Sequence, residues 1–208
     1  MSGSTQTARA FVALPVSPGL VEALTRLQAA LAAAAPPRTV RWVRRDQLHL
    51  TLKFFGNVPA DRIADLTAAL RAGIAGSTAL ALNVSGIGAF PEGRHPRVVW
   101  AGIAGQTDLL LALQQRIETA TRGFGEARDT RPFQPHLTLG RVLAVGHEAT
   151  KVGAGLAQVK IGLVGDWPAT EVRLIRSQLA TAGATYSDLA VFPLTPAAPC
   201  FNPSATLS

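Results

Sequence analysis

Leu20, Leu24, Leu27 and Leu31 recur at spacings of three and four, which predicts an amphipathic helix from Pro18 to Ala35, stopped by Pro36-Pro37. The same reasoning predicts a second helix from Pro59 to Ile74, started by Pro59 and Asp61, and a third from Thr107 to Arg122. A glycine-weakened fourth helix is read from Glu148 to Leu156. Between them, apolar runs read as strands at Phe11 to Leu14, Val40 to Val43, Leu48 to Phe55, Leu80 to Ile87, Val98 to Ile103, His136 to Val142, Glu171 to Leu179 and Ser187 to Phe192. These alternate with the helices without a strict βαβ cadence, so an α+β architecture with mainly antiparallel sheets is expected. The ends, 1–8 and 195–208, are rich in Ser, Thr, Pro and Ala and read as flexible tails around a single domain spanning 9–194.

Two of the predicted strands carry the same tetrapeptide, His49-Leu50-Thr51-Leu52 and His136-Leu137-Thr138-Leu139, which uses two of the 4 histidines in the chain. In a strand, His and Thr of this pattern share one face while the two leucines share the other. Each strand would seat its leucines in a core and present an imidazole beside a hydroxyl to a cleft. The single recurrence, too widely spaced for a solenoid, is consistent with two similar lobes related by an approximate twofold axis.

Such a pair of imidazoles can divide acid and base roles near neutral pH. The hydroxyls of Thr51 and Thr138 can donate to the nonbridging oxygens of a phosphate held between them. Two readings compete with this one. The histidines can be satisfied strand residues, or ligands of a metal, although no third His or carboxylate stands at ligand spacing and Cys200 is alone. His95 and His147 lie in Gly- and Pro-containing surroundings and are assigned to loops.

Composition narrows the partner. The 20 Lys and Arg residues, mostly Arg, outnumber 13 acids and give a net charge of +7, which suits a phosphate-bearing partner because guanidinium grips phosphate oxygens in pairs. A single cysteine excludes an internal disulfide and fits a reducing, cytoplasmic setting. The Ala-rich run from Leu27 to Ala35 is too short to span a membrane.

The chain resembles the 2H phosphoesterase superfamily, and within it the RNA 2',3'-cyclic phosphodiesterases, also called 2'-5' RNA ligases. Four segments carry the resemblance: Arg9-Ala10-Phe11-Val12-Ala13-Leu14-Pro15; Leu48-His49-Leu50-Thr51-Leu52-Lys53-Phe54-Phe55-Gly56; Gly88-Ala89-Phe90-Pro91 with Arg97-Val98-Val99-Trp100; and Arg131-Pro132-Phe133-Gln134-Pro135-His136-Leu137-Thr138-Leu139-Gly140-Arg141. It implies a bilobal α+β fold in which two mainly antiparallel sheets flank a central, positively charged cleft with helices on the outside. It also implies chemistry without metal or other cofactor.

By the same resemblance, His49 is the proton donor and His136 the proton acceptor in hydrolysis of RNA 2',3'-cyclic phosphate ends to 2'-phosphomonoesters. Thr51 and Thr138 would hold phosphate oxygens, with Arg141 and Arg131 as cleft cations. Phe54, Phe90 and Phe133 are candidates to stack on a terminal base. Gln134, where relatives often carry His, is given no role. A monomer without membrane contact is expected. The alternatives are 2'-5' ligation, hydrolysis of small cyclic nucleotides, or a nucleotide-binding or RNA-binding module without catalysis.

Overall fold

The computed structural model describes residues 6–93, 95–125, 132–180 and 183–196. In chain order the elements are β1 (Thr7–Pro15), α1 (Pro18–Ala34), β2 (Val40–Trp42), β3 (His49–Pro59), α2 (Ile63–Ile74), β4 (Leu80–Phe90), β5 (Val98–Gly105), α3 (Thr107–Ala120), β6 (His136–Val142), α4 (Gly146–Gln158), β7 (Leu163–Ala169), β8 (Glu171–Ala180) and β9 (Gly183–Pro193). Short 3-10 turns at Arg45–Gln47 and Ala60–Arg62 lead into β3 and α2. No described helix is long and apolar enough to cross a membrane.

The strands form a four-stranded sheet of order β3-β1-β8-β9 and a five-stranded sheet of order β2-β6-β5-β4-β7. Every pairing between these strands is antiparallel. The expected α+β class with antiparallel sheets is what the chain adopts. The two motif strands sit in different sheets, β3 at the edge of the first and β6 inside the second, and they pack directly against one another.

One continuous core joins both sheets. It takes Val12 and Leu14 from β1, Leu50 and Leu52 from β3, Val84 from β4, Val99 from β5, Leu137 and Leu139 from β6 and Leu174 from β8, with the apolar stripes of all four helices. The helices interlock the halves: α1 follows a strand of the first sheet but packs on β7 of the second, and α3 follows a strand of the second but packs on β3 of the first. The first sheet also has a second apolar face, where Phe11, Ala13 and Ile175 form a separate cluster.

Several features differ from the sequence expectation. β7 was not anticipated, because Gly165, Asp166 and Pro168 are poor strand residues. It is an edge strand, the position in a sheet where proline is tolerated. Pro59 ends β3 instead of opening a helix, and α2 begins only at Ile63. His147 lies in the first turn of α4 and not in a loop. At the ends, β1 begins at Thr7, inside the segment read as a tail, and Thr195 bridges Thr78. Cys200 lies outside the described residues.

Gln28 is buried on the apolar face of α1, where a polar residue would ordinarily be costly. Its Nε2 donates to the carbonyls of Val43 at 2.9 Å and Leu139 at 2.8 Å, tying α1 to the end of β2 and to the second motif. Replacing Gln28 with Leu leaves both carbonyls without this donor. Chemical denaturation should register a loss of about 1–3 kcal/mol, and an unchanged midpoint would show that the clamp carries no stability.

Candidate active site

His49 and His136 each open a strand, and each is held in the same way. The imidazole Nδ1 of His49 lies 2.7 Å from the carbonyl oxygen of Gln47, and that of His136 lies 2.7 Å from the carbonyl oxygen of Gln134. A carbonyl only accepts, so Nδ1 carries the proton in both rings and Nε2 is the nitrogen left for chemistry. Gln134, given no role from sequence, therefore contributes through its backbone. Gln47 is itself fixed, its side-chain amide donating to the carbonyl of Ala184 in β9.

The two rings sit in aromatic surroundings of different kinds. His49 stacks on Phe11, with centroids 4.8 Å apart and planes at 29°, and meets the edge of Tyr186 at 5.6 Å. His136 meets Phe90 edge-on at 5.1 Å and lies 6.3 Å from Trp100. Trp100 lies flat over its cross-strand partner Gly88, where an added Cβ would fall 2.1 Å from the indole ring. Glycine at 88 is thus what lets the Trp100 and Phe90 rings pack, 5.2 Å apart, behind His136.

Both motifs contain the same irregularity. Across β1 and β3, Ala13 pairs with Thr51 and Val12 with Lys53, so Leu52 is an extra residue. Across β5 and β6, Trp100 pairs with Thr138 and Val99 with Gly140, so Leu139 is an extra residue. Each is a β-bulge at the fourth position of the tetrapeptide. Plain alternation would put Lys53 on the face of His49 and Thr51, and Arg141 on the face of the buried leucines. The bulges reverse this.

Phe54 is returned to the cleft face opposite Phe11, their rings 5.6 Å apart, and stays 59% exposed. Arg141 is returned to the cleft face opposite Val98 and is exposed. These are equivalent positions, five residues beyond His49 and His136. Lys53 turns to the other side, where its buried ammonium bonds Glu118 at 3.0 Å and the carbonyl of Thr121 at 3.3 Å.

The predicted residues thus separate. Thr51 is half-buried with its hydroxyl 3.0 Å from His49 Nε2, and Thr138 holds the equivalent place beside Trp100. Phe54, Phe90 and Arg141 line the cleft. Phe133 packs against the main core, and Arg131 lies outside the described residues. Sequence reasoning gave no role to Phe11, Trp100 or Tyr186. Only the position of Phe11 and Trp100 inside the segments that carry the resemblance hinted at them, and Tyr186, the one tyrosine, carried no pattern. Among the described residues, no three His, Cys, Asp or Glu side chains gather as a metal-binding group.

The model of the LigT-like phosphoesterases matches residues 14–100 and 103–186. The chain belongs to the LigT-like phosphoesterase family. It is 34% identical over 189 residues to the RNA 2',3'-cyclic phosphodiesterase of Methanothermobacter thermautotrophicus, covering 89% of this chain and 98% of that one. It is 31% identical over 191 residues to the protein of the same name from Thermus thermophilus, covering 88% and 87%.

Among solved structures, E. coli LigT complexed with 3'-AMP superposes with a TM-score of 0.72 at 26% identity, over 91% of this chain and 99% of that one. TT0787 of Thermus thermophilus gives 0.71 at 28% identity over 90% and 98%. The resemblance read from the two motifs and their flanks, to the 2H phosphoesterases, is therefore correct, and so is the fold class it implied.

The electrostatics of this LigT-like site are unequal. Burial of His49, reinforced by the charge of His136 and only partly opposed by the Gln47 carbonyl, pushes its pKa from 6.5 down to about 4. Burial pushes the Tyr186 phenol up, against the pull of Arg141 and Arg9, so it stays protonated. Because His49 binds its proton less tightly when folded, the unfolded chain holds more protons between pH 6.5 and 4. Stability should be level above pH 6.5 and fall as the pH drops towards 4, by at most roughly 3 kcal/mol. Denaturation curves of wild type and His49→Gln across that window test this: the substitution should remove this part of the acid slope, and identical slopes would contradict the assignment.

Proposed function

We propose that this chain hydrolyses RNA 2',3'-cyclic phosphate ends, His136 acting as base on the attacking water and His49 as acid on the departing 3' oxygen, which leaves a 2'-phosphate. The observation that carries this reading is the matched anchoring of the two rings. With Nδ1–H given to a carbonyl in each, Nε2 of His136 offers, in the uncharged form of the ring, a lone pair able to take a proton from water. Nε2 of protonated His49 is a donor able to give one to an alkoxide.

The same names borne by the relatives support this substrate class, as does the complex of E. coli LigT with 3'-AMP. With its pKa pushed down to about 4, His49 is neutral near pH 7, and Thr51 donates its hydroxyl proton to Nε2. A phosphodiester anion between the rings favours the charged imidazole, so substrate binding itself loads the acid. Thr51 is then free to donate to a nonbridging oxygen, matched by Thr138 from the other strand, and Arg141 offsets charge as it grows on the phosphorane. Water attacks phosphorus, the P–O3' bond breaks, and the proton lost to His136 balances the one supplied by His49. No step in this scheme calls for a metal.

Three measurements on a cyclic-phosphate-ended oligonucleotide test the proposal. His49→Ala and His136→Ala should each lower turnover by roughly 10² or more. Turnover should persist in excess chelator, and complete loss there would overturn the acid-base account. The product should be a 2'-phosphomonoester, and a 3'-phosphate would reverse the geometry assigned to His49.

A further inference from the structure

Beside His49 lies a cavity of about 250 Å³ that the chemistry above leaves unused. His49, Asp46, Arg173, Ile175, Tyr186 and Asp188 line it. It is smaller than the roughly 300–1,000 Å³ of clefts that take drug-sized ligands, a size that suits one planar ring system better than an extended chain.

Its charge argues against a phosphate. The Arg173 guanidinium is held by Glu171, with Nε donating at 2.7 Å, and by Asp188, with Nη1 donating to Oδ2 at 2.9 Å. Two carboxylates thus answer one cation. Asp46 is likewise engaged, both its oxygens accepting from Arg44 at 3.0 and 2.8 Å. The cavity presents acceptors, a fixed guanidinium plane, the Tyr186 ring and the apolar Ile175. These are the surfaces on which a nucleobase stacks and hydrogen-bonds.

Position completes the argument, and this step rests on the phosphodiesterase reading. If His49 serves the 3' oxygen, the terminal ribose lies at His49, and its base is the neutral group nearest the adjoining cavity. We infer that this cavity receives the terminal base, and that Asp188 reads the base's donor edge. Among the described residues only Oδ2 of Asp188 is engaged, and a carboxylate accepts but never donates. Guanine offers two adjacent donors, N1–H and N2–H, to such a group. Uracil offers a single N3–H between two carbonyls that the carboxylate repels. Guanine is the preferred terminal base.

The test compares kcat/KM for four oligonucleotides that differ only in the base bearing the 2',3'-cyclic phosphate. Wild type should favour guanine over uracil by roughly 5- to 100-fold, the range for a bidentate base contact. Asp188→Asn, which turns one acceptor into a donor, should shrink or invert that ratio, whereas Asp188→Glu should keep guanine ahead of uracil.

Equal kcat/KM for all four substrates in wild type would overturn the inference and leave the phosphodiesterase reading intact. So would an Asp188→Asn ratio equal to that of wild type. Calorimetric titration with 2'-GMP and 2'-UMP separates the two claims further. Absence of turnover on every substrate would sink the phosphodiesterase reading, and the cavity assignment would then stand or fall on whether 2'-GMP binds more tightly than 2'-UMP and loses that advantage in Asp188→Asn.

Discussion

The site depends on one departure from strand periodicity, made twice. Alternation alone places His and Thr of each tetrapeptide in the cleft and its first leucine in the core. It would also send Lys53 into the cleft and Arg141 into the core, with a charge stranded among leucines. The extra residues at Leu52 and Leu139 change the parity after each threonine. Lys53 then reaches a carboxylate and a carbonyl on α3, an arrangement that satisfies a buried ammonium. Gly140 turns inward, where Val40 and Trp42 leave no room for a Cβ. A bulge is therefore required on both sides of the sheet, by the packing behind it as much as by the cleft in front.

The bulges also explain why two similar strands give dissimilar sites. The position five residues after the histidine is Phe54 in one and Arg141 in the other, so the equivalent place in the cleft is aromatic on one strand and cationic on the other. His49, stacked on Phe11 and edged by Tyr186, is the ring whose charged form is penalised. In the proposed role of acid, which must release its proton, that penalty is an asset once an anion supplies the favourable charge. The asymmetry of the proposed roles thus has a physical counterpart in what each imidazole rests against.

Much of this was legible in the sequence, for reasons that also mark where legibility ended. The two tetrapeptides sit at local, periodic positions, so strand type, side-chain direction and the pairing of His with Thr could be read directly. The first helix followed from leucine spacing. What could not be read depends on partners distant in sequence. The bulges exist only relative to β1 and β5, β7 is a strand only because it lies at a sheet edge, and Gln28 is satisfied only by carbonyls on β2 and β6. Arg141 was singled out for its charge beside the motif. Its place in the cleft is owed to the Leu139 bulge, which no pattern within the segment reveals.

The interlocking of the halves bears on how the site acts. Each sheet is covered by a helix that follows a strand of the other. Trp167 of β7 also reaches across the sheets, its Nε1 donating at 3.1 Å to the carbonyl of Pro15, the residue paired with His49. Gln28 does the same for the second motif through Leu139. Separating the two histidines would therefore require breaking core contacts and buried hydrogen bonds together, so the frame holds its geometry before substrate arrives. Electrostatic stabilisation is most effective when donors need no rearrangement during the reaction. Within this fixed frame the Thr51 hydroxyl, which rests on His49 Nε2, is the group that the proposed mechanism asks to turn towards a phosphate oxygen.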